Sequence, residues 1–276
     1  MIRSDDGGEG WLLIRQPEHA RLAGDLARAW GEPPFRPPEP FAETVLAIAH
    51  HDDGWADWEA APRADPETGR PLSFLEVGAA EHVEIWRRST ALAHERDRYA
   101  ALLVSRHAVD LLRYRLSAPG TQAEDRAAIE AFFAEQTSLR AAILAEARGL
   151  EAGPAGIVRW HRPAWGRLAE DATVEAGFRL LQALDYLSLV LCGAFPPGRI
   201  EPVPGRDGPE GHALDVAGRG PSGAALRPWP FTIGPPLRVE IQVQRLPAAR
   251  HDDLSLKEAL GRAPVERMAL TLEAAP

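Results

Sequence analysis

The residues of this sequence that could do chemistry together are histidines and aspartates set in otherwise apolar, helix-like segments: His19, His51, Asp52, His82, His107 and Asp185. The first gaps between them are each about one helix and one connector long, so successive helices would each offer a ligand to a shared centre. Imidazole and carboxylate together suit Zn, Fe or Mn. Six such ligands are too many for a closed tetrahedral site and suit two ions bridged by a carboxylate. The pattern therefore predicts a dinuclear metal centre.

The predicted ligands are not equally strong evidence for a metal site. Asp185 is informative because a lone carboxylate within an apolar helix is costly unless it is paired or bound to a cation. The adjacent pair His51-Asp52 is weak evidence alone, since a second such pair, His251-Asp252, occurs near the C-terminus. The second pair stands in a polar stretch before a short predicted helix, where helix capping is the better interpretation. We therefore assign the metal to the first pair.

The elements that must position these residues are mostly helices. Apolar residues recur at helical spacing in six segments, which cover residues 17–30, 41–51, 79 onward, 99–116, 121–148 and 174–191. Alternation of apolar and polar residues predicts strands at 237–244 and 268–272, and we expect these to pair with residues 11–14. The stretch 54–71 is interpreted as a long loop, and Pro and Gly crowd residues 193–236.

The predicted fold class is mainly α: a helical bundle with a small β element, formed by the C-terminal tail and, as a further expectation, the N-terminal strand. Residues 1–192 would form the helical metal-binding domain. Residues 193–276 would form a Pro/Gly-rich, β-containing C-terminal extension packed on it. Three roles are open for the extension: covering the pocket, forming a dimer contact, or capping the bundle.

The order of the polar residues resembles the HD-domain superfamily, specifically its dinuclear branch with the ligand order H…HD…H…H…D. The resemblance covers about residues 15–192, and its matching segments are Pro17-Glu18-His19-Ala20, His51-Asp52 followed by Gly54, Glu81-His82-Val83, Ser105-Arg106-His107 and Leu184-Asp185-Tyr186-Leu187. The chain also looks like a bacterial family catalogued only as a domain of unknown function. The resemblance implies an HD-domain-like bundle in which one metal takes His19, His51, Asp52 and Asp185, the other takes His82 and His107, and Asp52 bridges them.

Two chemistries use such a ligand set. A mixed-valent di-iron pair can oxidise a small polar substrate with dioxygen, as in the resembling myo-inositol oxygenase and phosphonate-degrading oxygenase. A pair of Mn, Zn or Mg ions can instead acidify a bridging water that attacks a phosphate ester. A third, non-catalytic alternative is a degenerate fold that serves as a binding module. Trp55 stands where the cyclic-dinucleotide phosphodiesterases of the superfamily carry a lysine, so we favour the di-iron oxygenase.

Four further residues are predicted to line the catalytic pocket: Asp53, Trp55, Arg106 and Tyr186. The expected partner is a small-molecule substrate, and the oligomeric state is left open, with a homodimer as one option. The net charge of −9 and the lack of a basic run argue against nucleic acid. No apolar run reaches the length of a membrane span, and the N-terminus has no apolar core typical of a secretory signal. With a single cysteine, Cys192, in an apolar run, the cytoplasm is the expected compartment.

Overall fold

The computed structural model of the protein describes residues 1–5, 10–117, 122–151, 171–220 and 222–276. Within them, the helices are α1 Gln16–Ala29, α2 Phe41–His50, α3 Trp55–Ala60, α4 Ala79–Arg96, α5 Arg98–Leu116, α6 Ala123–Glu151, α7 Asp171–Leu191 and α8 Asp253–Arg262. The strands are β1 Ile2–Asp5, β2 Gly10–Ile14, β3 Arg199–Gly205, β4 Gly208–Gly218, β5 Gly223–Arg227, β6 Leu237–Pro247 and β7 Glu266–Ala274.

The strands form one curled, seven-stranded sheet in the order β1-β2-β6-β7-β5-β4-β3. Neighbours are antiparallel except β5 and β7, which run parallel. The expected pairing of the tail with residues 11–14 is found between β2 and β6, where Trp11 lies opposite Leu246. The predicted fold class, mainly α with a small β element, is nevertheless wrong. The protein is about 52% helix and 22% strand, and its sheet is a mixed half-barrel, so it is not an all-α helical bundle.

The predicted helices are found close to their expected bounds, and α3 was missed inside the stretch interpreted as a loop. Helix α1 begins at Gln16 and has Pro17 in its first turn, as its sequence indicates. Helix α5 begins after Asp97, whose carboxylate accepts hydrogen bonds from the backbone N–H groups of Tyr99 and Ala100. The predicted start of α6, Thr121, lies outside the described residues. None of the helices described is both long and apolar enough to cross a membrane.

One hydrophobic core joins the sheet to the helices. Ile241 of β6 and Leu270 of β7 are buried in the same cluster as Leu22 of α1 and Leu187 of α7. Each fully buried aliphatic side chain of this kind contributes about 1.5–3 kcal/mol. Helix α1 contacts β6, and α7 contacts β3, β4, α1, α2 and α5. The sheet therefore supports the two helices that carry His19 and Asp185.

Gly54, directly after the His51-Asp52-Asp53 turn, allows this turn to lie against α4. A Cβ atom at this position would be 2.3 Å from the carbonyl oxygen of Ile85 and 2.5 Å from the backbone nitrogen of Ser89. The backbone N–H of Gly54 also donates to Ser89 Oγ at 3.0 Å. Because rigid backbone fills the space, the turn and α4 must separate to accept any side chain.

We therefore expect Gly54→Ala to lower the free energy of unfolding by about 1–3 kcal/mol, the usual cost of overpacking. The measurement is urea denaturation of the purified variant. Gly78→Ala is the matched control, because nothing lies within 4 Å of a Cβ atom there. Equal stabilities of the two variants would contradict the close approach.

Candidate metal centre

Four helices bring five of the six predicted metal ligands together. His19 comes from α1, His51 and Asp52 from the end of α2, His107 from α5 and Asp185 from α7. The exposed fraction of these residues is 1% for His19 and His51, 2% for His107, 4% for Asp52 and 8% for Asp185. The site is thus a cluster of imidazoles and carboxylates enclosed by the helices.

Asp185 is central in this cluster. Its Oδ1 lies 3.3 Å from His51 Nε2, and its Oδ2 lies 3.4 Å from His107 Nε2. His19, His51 and Asp185 offer ligand atoms that all lie within 4.8 Å of one another. Two ligands each about 2.1 Å from one ion can be at most about 4.2 Å apart. The distances from Asp185 to His51 and to His107 are below this limit. Ligand atoms of the three-residue group that lie as far as 4.8 Å apart would have to approach one another slightly.

The protonation of His51 is fixed by the backbone. Its Nδ1 lies 2.8 Å from the carbonyl oxygen of Ile48, which can only accept a hydrogen bond, so Nδ1 carries a proton. The neutral ring therefore has its lone pair on Nε2, which faces Asp185 Oδ1 at 3.3 Å and Asp52 Oδ2 at 3.8 Å. Metal-binding histidines commonly have their outer nitrogen held in this way.

His19 is oriented in the same manner through a serine. The hydroxyl of Ser188 donates its hydrogen to the backbone carbonyl of Asp185 at 2.7 Å, so it accepts from His19 Nδ1 at 2.9 Å. The neutral His19 ring then has its lone pair on Nε2, only 2.8 Å from Asp52 Oδ2. A lone pair and a carboxylate oxygen repel each other unless a cation, either a proton or a metal ion, lies between them.

Several buried polar atoms of the cluster have no hydrogen-bond partner among the described residues: His51 Nε2, Asp52 Oδ1, His107 Nδ1 and His107 Nε2. Unpaired polar atoms in a protein interior are costly, and a group of them facing one another calls for an explanation. A bound metal ion supplies one, since nitrogen and oxygen ligands of this kind suit Zn, Fe or Mn. The residues present therefore fit a metal centre.

The electrostatics of the metal-free cluster follow from burial and the two carboxylates. Burial lowers the pKa of His51, but the nearby Asp52 and Asp185 outweigh it and raise this pKa to about 9. Burial raises the pKa of Asp185, but the surrounding imidazoles, His51 first, hold it well below its usual range. Burial dominates for His107 and lowers its pKa to about 4. Without metal, one proton is thus shared between His51 and the carboxylates.

His82, the sixth predicted ligand, is not brought onto the carboxylates. Its Nε2 accepts a hydrogen bond from the indole N–H of Trp86 at 2.9 Å, and its Nδ1 lies 3.3 Å from the guanidinium of Arg115. The ring also lies 5.4 Å from that of Trp55. Trp86 in turn lies 5.6 Å from the ring of His107, so His82 stands behind the cluster with its nitrogens directed elsewhere.

His82 gives a pH-dependence that can be isolated. Burial first, and Arg115 second, lower the pKa of its ring from 6.5 to about 4. The unfolded chain therefore binds this proton more readily than the folded protein. The resulting stability is present above pH 6.5 and is lost as the pH falls toward 4. As the pH falls from 6.5 to 4, the free energy of unfolding of the metal-free His82→Gln variant should therefore decrease by ~3 kcal/mol less than that of the wild type. The measurement is urea denaturation of both proteins across this pH range. Identical pH profiles of variant and wild type would show that the ring of His82 is not held neutral in the folded protein.

Two residues predicted for the catalytic pocket lie on opposite sides of the α2–α3 turn. Asp53 is directed away from the cluster: its Oδ2 lies 2.6 Å from Arg96 and 3.1 Å from His50 Nδ1. These partners lower the pKa of Asp53 although burial opposes the change. Trp55 is buried, and its ring stands beside His82.

The other two predicted pocket residues are on α5 and α7. The guanidinium of Arg106 is paired with Glu175 and lies 4.6 Å over the ring of Phe178, away from the cluster. The half-buried Tyr186 stacks on Phe195 with ring centroids 5.4 Å apart. Adjacent positions on a helix point about 100° apart, so a neighbour of a ligand need not share its pocket.

Sequence reasoning missed the groups that orient the imidazoles. Ser188 carries the strongest signal, because it follows Asp185 by three residues and so lies on the same face of α7. Trp86 follows His82 by four residues, which places both on one face of α4. The carbonyl of Ile48 has no sequence signal at all. The second histidine–aspartate pair behaves as predicted: Asp252 caps α8 and accepts a hydrogen bond from Ser255 N.

Fold and site together define a class: an α+β protein in which a curled, mainly antiparallel sheet supports helices that enclose a cluster of histidines and aspartates. The model of one family, described as a protein of unknown function (DUF3891), matches residues 1–248. The chain belongs to this family. Searches of curated proteins and of solved structures gave no match.

The resemblance to the HD-domain superfamily was therefore wrong. The family whose model matches residues 1–248 is described only as one of unknown function, the comparisons give no evidence of an HD-domain family, and a large seven-stranded sheet stands where that resemblance implied a helical bundle. The cluster of ligands must be interpreted from its own geometry.

Proposed function

We propose that the protein is a metal-dependent enzyme that uses iron and dioxygen to oxidise a small polar molecule. The observation that carries the proposal is the pair of opposed acceptors: His19 Nε2 against Asp52 Oδ2 at 2.8 Å, and His51 Nε2 against Asp185 Oδ1 at 3.3 Å. Two buried histidines with both inner lone pairs directed at carboxylates have little structural use unless a cation joins them.

These four residues would hold one ion. His107 Nε2 lies 3.4 Å from the other oxygen of Asp185, which makes Asp185 the carboxylate that could serve a second ion. The hydrogen bonds of Ser188 and of the Ile48 carbonyl to Nδ1 direct the lone pair of each neutral ring, on Nε2, toward the carboxylates, where an ion would take it once the proton on His51 has left. Iron held by these residues would activate dioxygen, and the small polar molecule that is oxidised would be the net source of the electrons.

The surroundings favour oxidation over phosphate chemistry. The hydrogen bonds and ion pairs of the five residues go to one another, to Ser188 and to the Ile48 carbonyl. Sites that transfer phosphoryl groups commonly add cationic side chains to the charge of the metal ions, and the described contacts of the cluster include no such side chain. Rings of Trp86 and the other histidines lie around His107 and His51. An enclosed site of this kind excludes water and protects a reactive oxidant from side reactions.

The test is metal analysis with Mössbauer and EPR spectroscopy on full-length protein purified without oxygen. We expect iron, bound in the wild type and in His251→Ala, a histidine outside the cluster, and lost in His51→Ala. Admission of oxygen should change the iron spectrum of the wild type. Stoichiometric Mn, Zn or Mg together with hydrolysis of a phosphate ester would contradict the proposed oxidation and identify the protein as a phosphohydrolase. Absence of any stoichiometric metal would leave a binding module.

A further inference from the structure

A second polar feature lies between α5, α6 and α7, on another side of α5 from the metal ligand His107. It is a half-open cavity of about 380 Å³ whose lining includes four arginines: Arg106, Arg113, Arg140 and Arg179. The apolar part of its wall includes Leu102, Val109 and Phe178. Cavities of this size accommodate small organic molecules.

The charges around the cavity are not balanced by the described residues that line or contact it. Glu175 pairs with both Arg106 and Arg179. Asp110 lines the cavity too, but its carboxylate accepts a hydrogen bond from Gln182 at 2.7 Å. Four guanidinium groups thus face two carboxylates, in a protein whose net charge is −9. The excess of positive charge at the cavity is local, because the net charge of the whole chain is negative.

Arg140 is the arginine for which this excess is most costly. It is half-buried, and its described hydrogen bonds go to neutral hydroxyls, Ser105 Oγ at 3.0 Å and Thr137 Oγ1 at 3.4 Å. Burial, and then the like charges of Arg106 and Arg113, lower the pKa of its guanidinium. The described contact of Arg113 is with the ring of Phe133, 5.9 Å away. Neither guanidinium has a carboxylate partner among the described residues.

We infer that this cavity binds a small-molecule anion carrying at least two negative charges, held by Arg113 and Arg140 and flanked by Arg106. A planar guanidinium presents two parallel N–H groups to a pair of phosphate or carboxylate oxygens. The ring of Phe178, already covered by the guanidinium of Arg106, offers an apolar surface to the rest of such a molecule. Phosphate monoesters and dicarboxylates share this chemistry. The inference is independent of the metal centre, because it uses none of the ligands.

The test is isothermal titration of the full-length protein at fixed ionic strength, with inorganic phosphate and with succinate as separate probes. We expect saturable binding of at least one probe, weakened about tenfold or more by Arg140→Gln and by Arg113→Gln, since each removes a charge-assisted contact. Arg262→Gln, on the exposed face of α8, is the matched control and should leave binding unchanged. Circular dichroism of each variant shows whether it is folded.

Two further variants make the result decisive. Glu175→Gln removes the carboxylate that competes for Arg106, so it should tighten binding, which a merely misfolded variant could not do. His51→Ala should bind the probe normally, whereas phosphate held by a metal ion would be lost with that residue. No saturable binding at millimolar probe, or binding that survives both Arg140→Gln and Arg113→Gln, would overturn the inference.

Discussion

Asp185→Ala is expected to empty the metal centre. The two carboxylate oxygens of Asp185 lie 3.3 Å from His51 Nε2 and 3.4 Å from His107 Nε2. Structural zinc sites bind with about 10–16 kcal/mol, so one of four ligands accounts for roughly 3 kcal/mol, or about 100-fold in affinity. The measurement is the metal content of purified protein after dialysis against a weak chelator. Because Asp185 also compensates charge on His51, we expect lower stability as well.

Two controls separate metal binding from folding. Asp252→Ala removes a carboxylate of the other histidine–aspartate pair, which caps α8, and it should leave the metal content unchanged. His107→Ala should lower the metal content only by the ion that His107 holds. If Asp185→Ala kept all its metal, the centre would not be where the opposed acceptors lie.

The helices could be predicted because each carries its own signal. The apolar stripe of α5 and the nearly all-apolar α7 are local features, and both helices form within a few residues of the expected bounds. Most of the sheet could not. Strand β3 contains Pro202 and Pro204, which normally argue against a strand. The two prolines are tolerated because β3 is the last strand in the sheet order, and the outer side of an edge strand needs no backbone N–H donor.

The candidate site shows the same division. A charged residue in an apolar helix, such as Asp185, marks itself in the sequence because its burial must be compensated. The sequence does not indicate the direction of a side chain, since this depends on its neighbours in the folded protein. His82 contacts Trp86 and Arg115, and Arg106 contacts Glu175. The resemblance to HD domains rested on a few residues in order, and such residues contain no information about the sheet.

Metal affinity is expected to rise with pH up to about pH 9. A metal ion needs the lone pair of His51 Nε2, but the two carboxylates raise the pKa of His51 to about 9 although burial opposes them. Below that pH, binding must displace the proton, which costs about 1.4 kcal/mol, or a factor of ten in affinity, for each pH unit. Titration calorimetry of metal-free protein with Co²⁺, in buffers of different protonation enthalpy, should therefore detect about one proton released from His51 near neutral pH.

The stability of the metal-free protein should show the opposite trend, which separates this explanation from a general effect of pH. The pKa of His51 in the folded protein lies above its ordinary value of 6.5, so its stabilising contribution is complete below pH 6.5 and disappears as the pH rises through about 9. From pH 6.5 to 9 this contribution amounts to ~3 kcal/mol, lost from the metal-free protein while metal binding strengthens. His51→Gln should flatten this part of the stability profile, and His251→Ala, outside the cluster, should not. Parallel pH trends for stability and affinity would show that the carboxylates do not hold a proton on His51 in place of the metal.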